Sequence, residues 1–358
     1  MLKTPEPLKE LETRAATALK KIIAEVPAIQ VESIEVEPPS RDRGIDILAR
    51  IHIADKPRIL ICEVKSNGQP RNVRAALHQL DEYVVRLGKN AVPIFIAPYL
   101  SQEAQALCKD SNVGFLDLAG NARLVFDNVF IERLVSYTPP AERRELRSLF
   151  KPKSAQVLRI MLRDPKRAWR VADLAKAADV SLGHVSNVRT GLIRREWAKE
   201  AELGFLLSRP DALLDAWRDQ YEAPDGERMG FYTILHGNAF EEAARQAFAS
   251  VGAKAAFTSF SAANWFAPYG RTGTQYFYAD SAGLERLKEK LKLSPSLKGE
   301  NVVITIPKDG GLLGDTVEPA PGIVCTGAIQ TYLDLWTAGE RGREAAEHLR
   351  RMRLSWPA

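Results

Sequence analysis

The chain has 358 residues, of which 45% are hydrophobic and 27% are charged. This length favours two or three domains, and the balance of hydrophobic and charged residues excludes a disordered chain. The net charge of +5 is concentrated centrally: Lys and Arg outnumber Asp and Glu by 15 to 7 over residues 139–200, against 18 to 18 before and 17 to 20 after. A basic stretch within one segment is typical of contact with a phosphate backbone, with a solvated surface as the alternative.

The composition also limits location and cofactors. The first residues contain no signal-peptide apolar stretch, and no segment approaches the roughly 18 apolar residues of a membrane span. We therefore expect a cytoplasmic protein. Cys62, Cys108 and Cys325 are far apart and the five histidines are scattered, which argues against a zinc site and a disulfide framework.

Two polar, turn-rich stretches divide the chain. We expect domains at residues 1–138, 154–221 and 222–358, with a basic linker at 139–153 and a joint at 222–230. The alternating helical and strand-like patterns of these segments predict an α/β multidomain protein.

The first segment alternates helical and strand periodicity. Consecutive hairpins followed by crossovers through helices indicate a mixed sheet. The elements predicted are a helix ending before Pro27, strands at 31–37, 45–53 and 59–64, a turn with Asp55 and Pro57 between the last two, a helix at 70–87, a strand at 92–97, a helix at 102–110 and strands within 114–135.

Two carboxylates and a lysine are predicted to meet at one edge of this sheet. Asp46 lies at the beginning of the second strand run, and Glu63 and Lys65 lie at the end of the third. The two-residue period of a strand puts Glu63 and Lys65 on one face, and a hairpin brings Asp46 beside them. Mg²⁺ or Mn²⁺ would take Asp46 and Glu63 as ligands, and Lys65 would orient a bound water or stabilise transition-state charge, so the set predicts phosphodiester hydrolysis. Glu12 on the first helix is either a further ligand or, as we favour, an exposed solvating carboxylate.

The same residues resemble the PD-(D/E)xK nuclease superfamily, whose core has this element order and whose signature is an acid followed by acid-x-lysine. Here these are Asp46 and residues 63–65, although Ile45 replaces the proline that usually precedes the first acid. Gln79 and Tyr83, four residues apart on one helical face, are similar to the QxxxY motif of some branches. The resemblance implies a restriction-endonuclease-like mixed sheet and catalytic roles for these two residues. It leaves open whether the site is active or the fold is reused for binding.

Residues 154–209 predict three helices and a hairpin. Helices are expected at 154–163 and 171–178, and a third begins at Ser181, a residue type that caps helix N-termini. Two short strands, 198–202 and 204–208, then form a wing. The arrangement resembles bacterial winged helix-turn-helix domains and predicts binding of double-stranded DNA, with protein contact as the alternative use.

The third helix is expected to present a small polar face to the major groove. Asn187 is suited to adenine and Arg189 to guanine or phosphate, whereas His184 either meets DNA or bonds its own helix terminus. The residues predicted to contact DNA are Ser181, His184, Ser186, Asn187, Arg189, Thr190 and Arg194.

The last segment predicts a packed α/β domain with a helix at 238–248, a strand at 302–306 and a helix at 329–336. The glycines of residues 308–316 lack the GK[ST] of a phosphate loop, so we expect a turn there.

Nearly the whole chain resembles the bacterial AbiEi family of antitoxin-like transcriptional regulators, in the branch that begins with a nuclease-type domain. The string FLDLAGNA at 115–122 is the most specific part, with APYLS at 97–101 and IQTYLDL at 329–335 as further matches. The resemblance implies a regulator that represses its own operon and opposes a nucleotidyltransferase-like toxin encoded nearby. Asn121 in the string is either a substrate contact or, as we favour, a turn residue.

Two functions of different classes remain open. In the first, the winged helix delivers a nuclease to DNA, and the N-terminal domain cuts a phosphodiester bond with Asp46, Glu63 and Lys65 around magnesium. In the second, the protein is an antitoxin and repressor, and its nuclease fold is not catalytic. A homodimer is compatible with both.

Overall fold

The computed structural model describes residues 7–38, 44–54, 56–270, 272–296 and 298–356. Within these ranges, no helix is both long and apolar enough to cross a membrane. The helices are α1 (Leu8–Ala24), α2 (Pro70–Leu87), α3 (Gln102–Asp110), α4 (Pro140–Leu149), α5 (Pro152–Arg163), α6 (Val171–Ala178), α7 (Leu182–Arg194), α8 (Pro210–Gln220), α9 (Gly237–Phe248), α10 (Ser259–Phe266), α11 (Ser281–Lys290), α12 (Ala328–Trp336) and α13 (Gly339–Arg353). The strands are β1 (Ile29–Val36), β2 (Ile47–Ile53), β3 (Lys56–Val64), β4 (Ala91–Ala97), β5 (Gly114–Asp117), β6 (Ala122–Phe126), β7 (Val129–Arg133), β8 (Ala198–Ala201), β9 (Gly204–Leu207), β10 (Gly226–Tyr232), β11 (Ala255–Phe257), β12 (Gln275–Ala279), β13 (Ser294–Pro295), β14 (Val302–Pro307), β15 (Thr316–Ala320) and β16 (Ile323–Thr326).

These elements form two compact units. The first contains Met1–Glu145 with Ile193–Glu196, and the second contains Leu146–Leu192 with Trp197–Ala358.

The first unit is built on one mixed sheet with the strand order β1-β2-β3-β4-β5-β6-β7. The pairs β1–β2 and β2–β3 are antiparallel, whereas β3–β4 and β4–β5 are parallel and are connected through α2 and α3. The predicted mixed α/β sheet is therefore confirmed. The predicted turn at Pro57 is wrong, because Ile53 pairs with Lys56 and Pro57 lies within β3; Asp55 falls outside the described residues.

Helices cover both faces of this sheet. On one face, α1 packs Leu19 and Ile23 against strand residues such as Ile47. On the other face, α2 and α3 contribute Leu80 and Cys108 to a core around Phe95 and Phe115. A strand buried on both faces reads as a continuous apolar run rather than an alternating one, which explains the sequences of β3 and β4.

The second unit begins with the predicted three helices and hairpin. Helices α5, α6 and α7 are followed by the antiparallel pair β8–β9, close to the predicted boundaries. Trp169, between α5 and α6, forms a bridge with Phe205 of β9, so a third backbone segment supports the hairpin. Helix α4 occupies most of residues 139–153, which had been expected to be a linker.

A second mixed sheet follows, with the strand order β13-β10-β14-β12-β11-β16-β15. One face packs Phe257, Phe277 and Ile304 against α9 and α11. The joint predicted at 222–230 is wrong in its second half, because β10 begins at Gly226 and pairs with β14 in the interior of this sheet. Residues 310–314 form a short 3₁₀ helix within the predicted turn.

A chain of buried polar side chains joins α5 to this sheet. Arg159 of α5 is 5% exposed, and its Nε lies 3.0 Å from Asp315 Oδ2. The guanidinium also donates to Gln330 Oε1 at 3.2 Å, and Gln330 donates to Asp334 Oδ1 at 2.9 Å. Burial of these groups is tolerated because each has hydrogen-bonding or charged partners.

Candidate functional site

Strand pairing brings the predicted acids together at one end of β2 and β3. Ile47 pairs with Cys62, so the antiparallel register carries Asp46 opposite Glu63. Asp46 Oδ2 accepts a hydrogen bond of 2.6 Å from the Val64 amide, between Glu63 and Lys65. The Lys65 ammonium donates to Glu63 Oε1. Asp46, Glu63 and Lys65 are therefore neighbours, as their spacing in the sequence predicts.

Two carboxylate oxygens at this end of the sheet are buried without a partner among the described residues. They are Oε2 of Glu63 and Oε2 of Glu12. Glu63 is 2% exposed and Glu12 is 3% exposed. A buried carboxylate oxygen without a hydrogen bond carries a large desolvation penalty, which a bound cation would offset.

The raised pKa values of the three carboxyl groups also indicate that this cluster suits a bound cation. Burial raises the pKa of Glu63, and the charges of Asp46 and Glu12 raise it further against the opposing effect of Lys65. Burial also raises the pKa of Asp46, against the effect of the Val64 amide. The pKa of Glu12 is raised by burial and then by the charge of Asp46. Protein groups alone therefore do not compensate the negative charge at this end of the sheet.

The favoured interpretation of Glu12 as an exposed carboxylate is wrong. Glu12 shares the buried face of α1 with Leu11, Ala15 and Leu19, and the charge of Asp46 raises its pKa in addition to burial. Its position within the apolar stripe of the helix was the available signal, because a solvating residue is expected on the opposite face.

Of the two residues of the QxxxY pattern, Tyr83 contacts the backbone that leads into Asp46. The Tyr83 hydroxyl donates a 2.5 Å hydrogen bond to the carbonyl of Gly44, two residues before Asp46. Gly44 has φ of +97°, a conformation that favours glycine. Tyr83 therefore fixes the backbone that leads into Asp46. Gln79 lies one turn earlier on α2 and is half-buried.

The cluster does not form a complete protein cage for a metal. Across the ranges that the structure describes, no group of three or more His, Cys, Asp or Glu side chains is arranged to hold a metal ion. Any cation bound by Asp46 and Glu63 would therefore take other oxygen ligands, such as water or phosphate.

The FLDLAGNA string forms a turn held by side-chain hydrogen bonds. Asp117, which is fully buried, accepts from the amides of Gly120 and Asn121 at 2.8 and 2.9 Å. Its second oxygen accepts from the Leu100 amide at 3.0 Å and from the Asn121 side chain at 2.8 Å. Asn121 in turn accepts from the Val135 amide at 2.7 Å. These bonds support the structural interpretation of Asn121.

Several residues predicted to contact DNA are held by the protein itself. The imidazole of His184 lies 3.1 Å from the Ser154 hydroxyl of α5. Arg189 donates to Glu200 of β8 at 2.6 Å and lies over the Phe205 ring. The Thr190 hydroxyl donates to the Ser186 carbonyl at 2.9 Å. His184 therefore connects α7 to α5, and Arg189 connects α7 to β8.

The remaining predicted contacts are exposed. Ser181 caps α7, accepting from the His184 amide at 3.3 Å. Ser186 and Asn187 lie on the outer face of α7, and Arg194 lies exposed in its last turn. These four side chains therefore give α7 an exposed polar surface.

Part of the second unit matches a known family. Residues 206–354 match the family described as transcriptional regulator, AbiEi antitoxin, type IV toxin–antitoxin system. The similarity of this stretch to AbiEi regulators agrees with the resemblance of its IQTYLDL string. The match covers less than half of the chain, and no curated protein matches the sequence.

Three solved structures resemble part of the chain. A repair endonuclease from Pyrococcus abyssi is 20% identical, with a TM-score of 0.25 over 33% of this chain and 49% of its own. The EndoMS–dsDNA2 complex is 18% identical, with a TM-score of 0.23 over 33% of this chain and 48% of its own. Apo EndoMS is 19% identical, with a TM-score of 0.21 over 29% and 45%. The chain spans about half the length of these structures or less, and similarity this low adds nothing to the fold that the strand order defines.

Proposed function

We propose that this protein binds DNA and cleaves a phosphodiester bond at the Asp46, Glu63 and Lys65 cluster with the help of a divalent cation. The observation that carries the proposal is the buried Oε2 of Glu63, which lacks a hydrogen bond beside Asp46 and Lys65. This set follows the PD-(D/E)xK pattern. Asp46 and Glu63 would hold the cation, and the charge of Glu12 adds to the negative potential at these two carboxylates.

The donor set fits magnesium or manganese, which prefer oxygen ligands and retain several waters. When bound, the cation would lower the pKa of a coordinated water and neutralise charge on the phosphate. Lys65 would leave Glu63 to orient the attacking water or to donate to a phosphate oxygen. Attack forms one bond from the water oxygen to phosphorus and breaks one ester bond. The attacking water loses a proton to solvent, and the departing oxygen takes a proton from solvent. Tyr83 acts as a positioning residue through Gly44.

Helices α5 to α7 and the β8–β9 hairpin would form the winged helix that binds the duplex. Asn187 and Ser186 are free to reach base edges, and the surrounding basic residues would contact phosphates. The contacts of Arg189 with Glu200 and Phe205 instead give it a role in holding the wing to α7.

Cleavage assays test the first part of the proposal. Purified protein with Mg²⁺ or Mn²⁺ should cut at least one substrate among supercoiled, linear, single-stranded and branched DNA. Asp46→Ala and Lys65→Ala should each reduce the rate by at least about 100-fold, since Asp46 would hold the cation and Lys65 would stabilise the developing charge. Asp81→Ala and Lys89→Ala alter exposed residues of the same unit and should leave the rate unchanged. Absence of cleavage of every substrate would overturn the nuclease assignment.

The AbiEi match favours a second candidate, a transcriptional regulator and antitoxin whose nuclease fold is not catalytic. It predicts salt-sensitive binding to DNA upstream of the protein's own gene. Asn187→Ala should weaken this binding by about 1–3 kcal/mol, or roughly 5–150-fold, if Asn187 reads a base. Asn128→Ala, an exposed change in the first unit, is the control. Equal affinity for random DNA would rule out sequence-specific repression.

A further inference from the structure

A cavity of about 470 Å³ lies over one face of the second mixed sheet, which contains β10 to β16 and is called the C-terminal sheet below. Its lining includes adjacent strand residues: Arg228 of β10 pairs with Thr305 of β14, which pairs with Tyr278 of β12. This face is opposite the one that packs on α9 and α11. The volume is within the range of pockets that bind small molecules.

The beginning of α10 forms one side of this cavity. Thr258, Ser259 and Phe260 all line it. The first hydrogen bonds of the helix run from the Ser261 and Ala262 amides to the Thr258 carbonyl, so the amides of Ser259 and Phe260 precede the helical ladder. Such amides, together with the helix dipole, favour an anion.

A second, independent observation is the hydroxyl of Ser259. Ser259 is 8% exposed, lines the cavity, and has no hydrogen-bond partner for its side chain among the described residues. Its φ of +49° is a left-handed conformation that non-glycine residues rarely adopt. The Ser259 residue, 8% exposed, therefore brings an unpartnered hydroxyl to the cavity.

The other free groups in the cavity are also hydrogen-bond donors. Arg228 is exposed at the cavity and forms no ion pair within the described part of the chain, and the Thr305 hydroxyl has no partner there either. Asp334 is the acid in the lining, and its carboxylate already accepts bonds from Tyr221, Tyr278, Gln330 and Thr258. These four donors spread the charge of Asp334, so the unused groups favour an anionic ligand.

Aromatic rings complete the lining. The rings of Phe260 and Tyr276 have centroids 6.2 Å apart, and both side chains are half-buried. Partly exposed rings beside unused donors are the features that bind a planar ring carrying a polar group.

We propose that this cavity binds a small molecule that combines a planar aromatic ring with a phosphate or carboxylate group, as a nucleoside monophosphate does. The anionic group would lie against the first amides of α10, the Ser259 hydroxyl and Arg228. The ring would pack on Phe260 and Tyr276. This site is separate from the carboxylate cluster and independent of the proposed nuclease and DNA-binding functions.

Isothermal titration of the full chain tests the proposal. The probes are the four ribonucleoside 5′-monophosphates, phenyl phosphate and phenylacetate. The parent nucleosides, which lack the anionic group, and inorganic phosphate, which lacks the ring, test each half of the ligand alone. At least one intact probe should bind with a Kd below about 1 mM, and neither half should bind as tightly. The phosphate and carboxylate probes show which anionic group the site takes.

Two substitutions and one control localise the binding. Arg228→Ala should weaken it by about tenfold or more, because a charge-assisted hydrogen bond is lost. Ser259→Gly removes the hydroxyl while suiting the positive φ, so the protein should remain folded and bind severalfold more weakly. Arg286→Ala changes an exposed arginine of α11, on the opposite side of the sheet, and should bind as the unchanged protein does. Failure of every probe to bind, or equal binding by all four proteins, would overturn the proposal.

Discussion

Glu12, Asp46 and Glu63 are more easily protonated in the folded protein than in the unfolded chain. Burial and mutual repulsion raise the pKa of each carboxyl group. The folded state therefore binds more protons than the unfolded state above about pH 4, and the associated stability is lost as the pH rises through the folded-state pKa values. A bound divalent cation would reverse this loss.

Glu12→Gln should therefore stabilise the metal-free protein at pH 7.5. Removal of one buried negative charge is expected to raise the Tm of the first unit by about 2–4 °C, and the gain should shrink at pH 4, where the carboxyl group is protonated. The stabilisation by added Mg²⁺ should also be smaller in this variant. Glu10→Gln, an exposed change on the same helix, is the control for differential scanning calorimetry. A lower Tm for Glu12→Gln at pH 7.5 would contradict the repulsive interpretation.

The candidate site was predictable where strand pairing controls it. Asp46, Glu63 and Lys65 follow from the two-residue period and the hairpin. Glu12 was not assigned correctly, because a carboxylate in the apolar stripe of a helix was given the usual exposed role of its residue type. The bonds of His184 and Arg189 also could not be read from the sequence, since their partners Ser154 and Glu200 lie on other elements.

The β8–β9 hairpin depends on Gly204, the first residue of β9. Gly204 has φ of +138°, and a Cβ there would lie 2.1 Å from the Trp169 carbonyl oxygen. That carbonyl accepts the Phe205 amide at 3.0 Å, so the two segments approach as closely as the bridge requires. Any side chain at this position would push them apart.

Gly204→Ala should therefore destabilise the second unit and loosen the hairpin. A cost of about 1–3 kcal/mol is expected from the backbone conformation, and the clash adds to it. Gly183→Ala is the matched comparison on α7, where a Cβ would meet nothing within 4 Å. There alanine should stabilise the helix by about 0.5–1 kcal/mol. Urea denaturation measures both changes, and equal effects of the two substitutions would contradict this view of the hairpin.

Elements with regular apolar periodicity were predicted best. Helices α1, α2 and α3 and the three helices before the hairpin lie within a few residues of their expected bounds. Strand β10 was not predicted, because it begins in a polar stretch and because Arg228 and Gly230 face the cavity side rather than a second apolar core. Its alternation is therefore too weak to indicate a strand.

Arg159 and Arg163 of α5 provide a matched pair for the connection between the helices and the C-terminal sheet. Both contact Asp315, but Arg159 is 5% exposed and Arg163 is 55% exposed. Arg159→Ala should cost about 3–5 kcal/mol, because Asp315 and Gln330 lose a buried partner. Arg163→Ala should cost less than about 1 kcal/mol, since solvent screens an exposed ion pair. Similar chemical denaturation midpoints for the two variants would show that the buried connection contributes little.

The buried path from Arg159 through Gln330 to Asp334 has a consequence for modularity. Arg159 lies 47 residues before the first residue of the AbiEi match at 206, yet its partners lie within the matched stretch. A fragment limited to residues 206–354 would therefore lack Arg159 and leave its partners Asp315 and Gln330 exposed. Exchange of the C-terminal portion between related proteins should succeed only when α5 is exchanged with it. The part of the chain that folds together with this portion therefore extends beyond the matched residues 206–354.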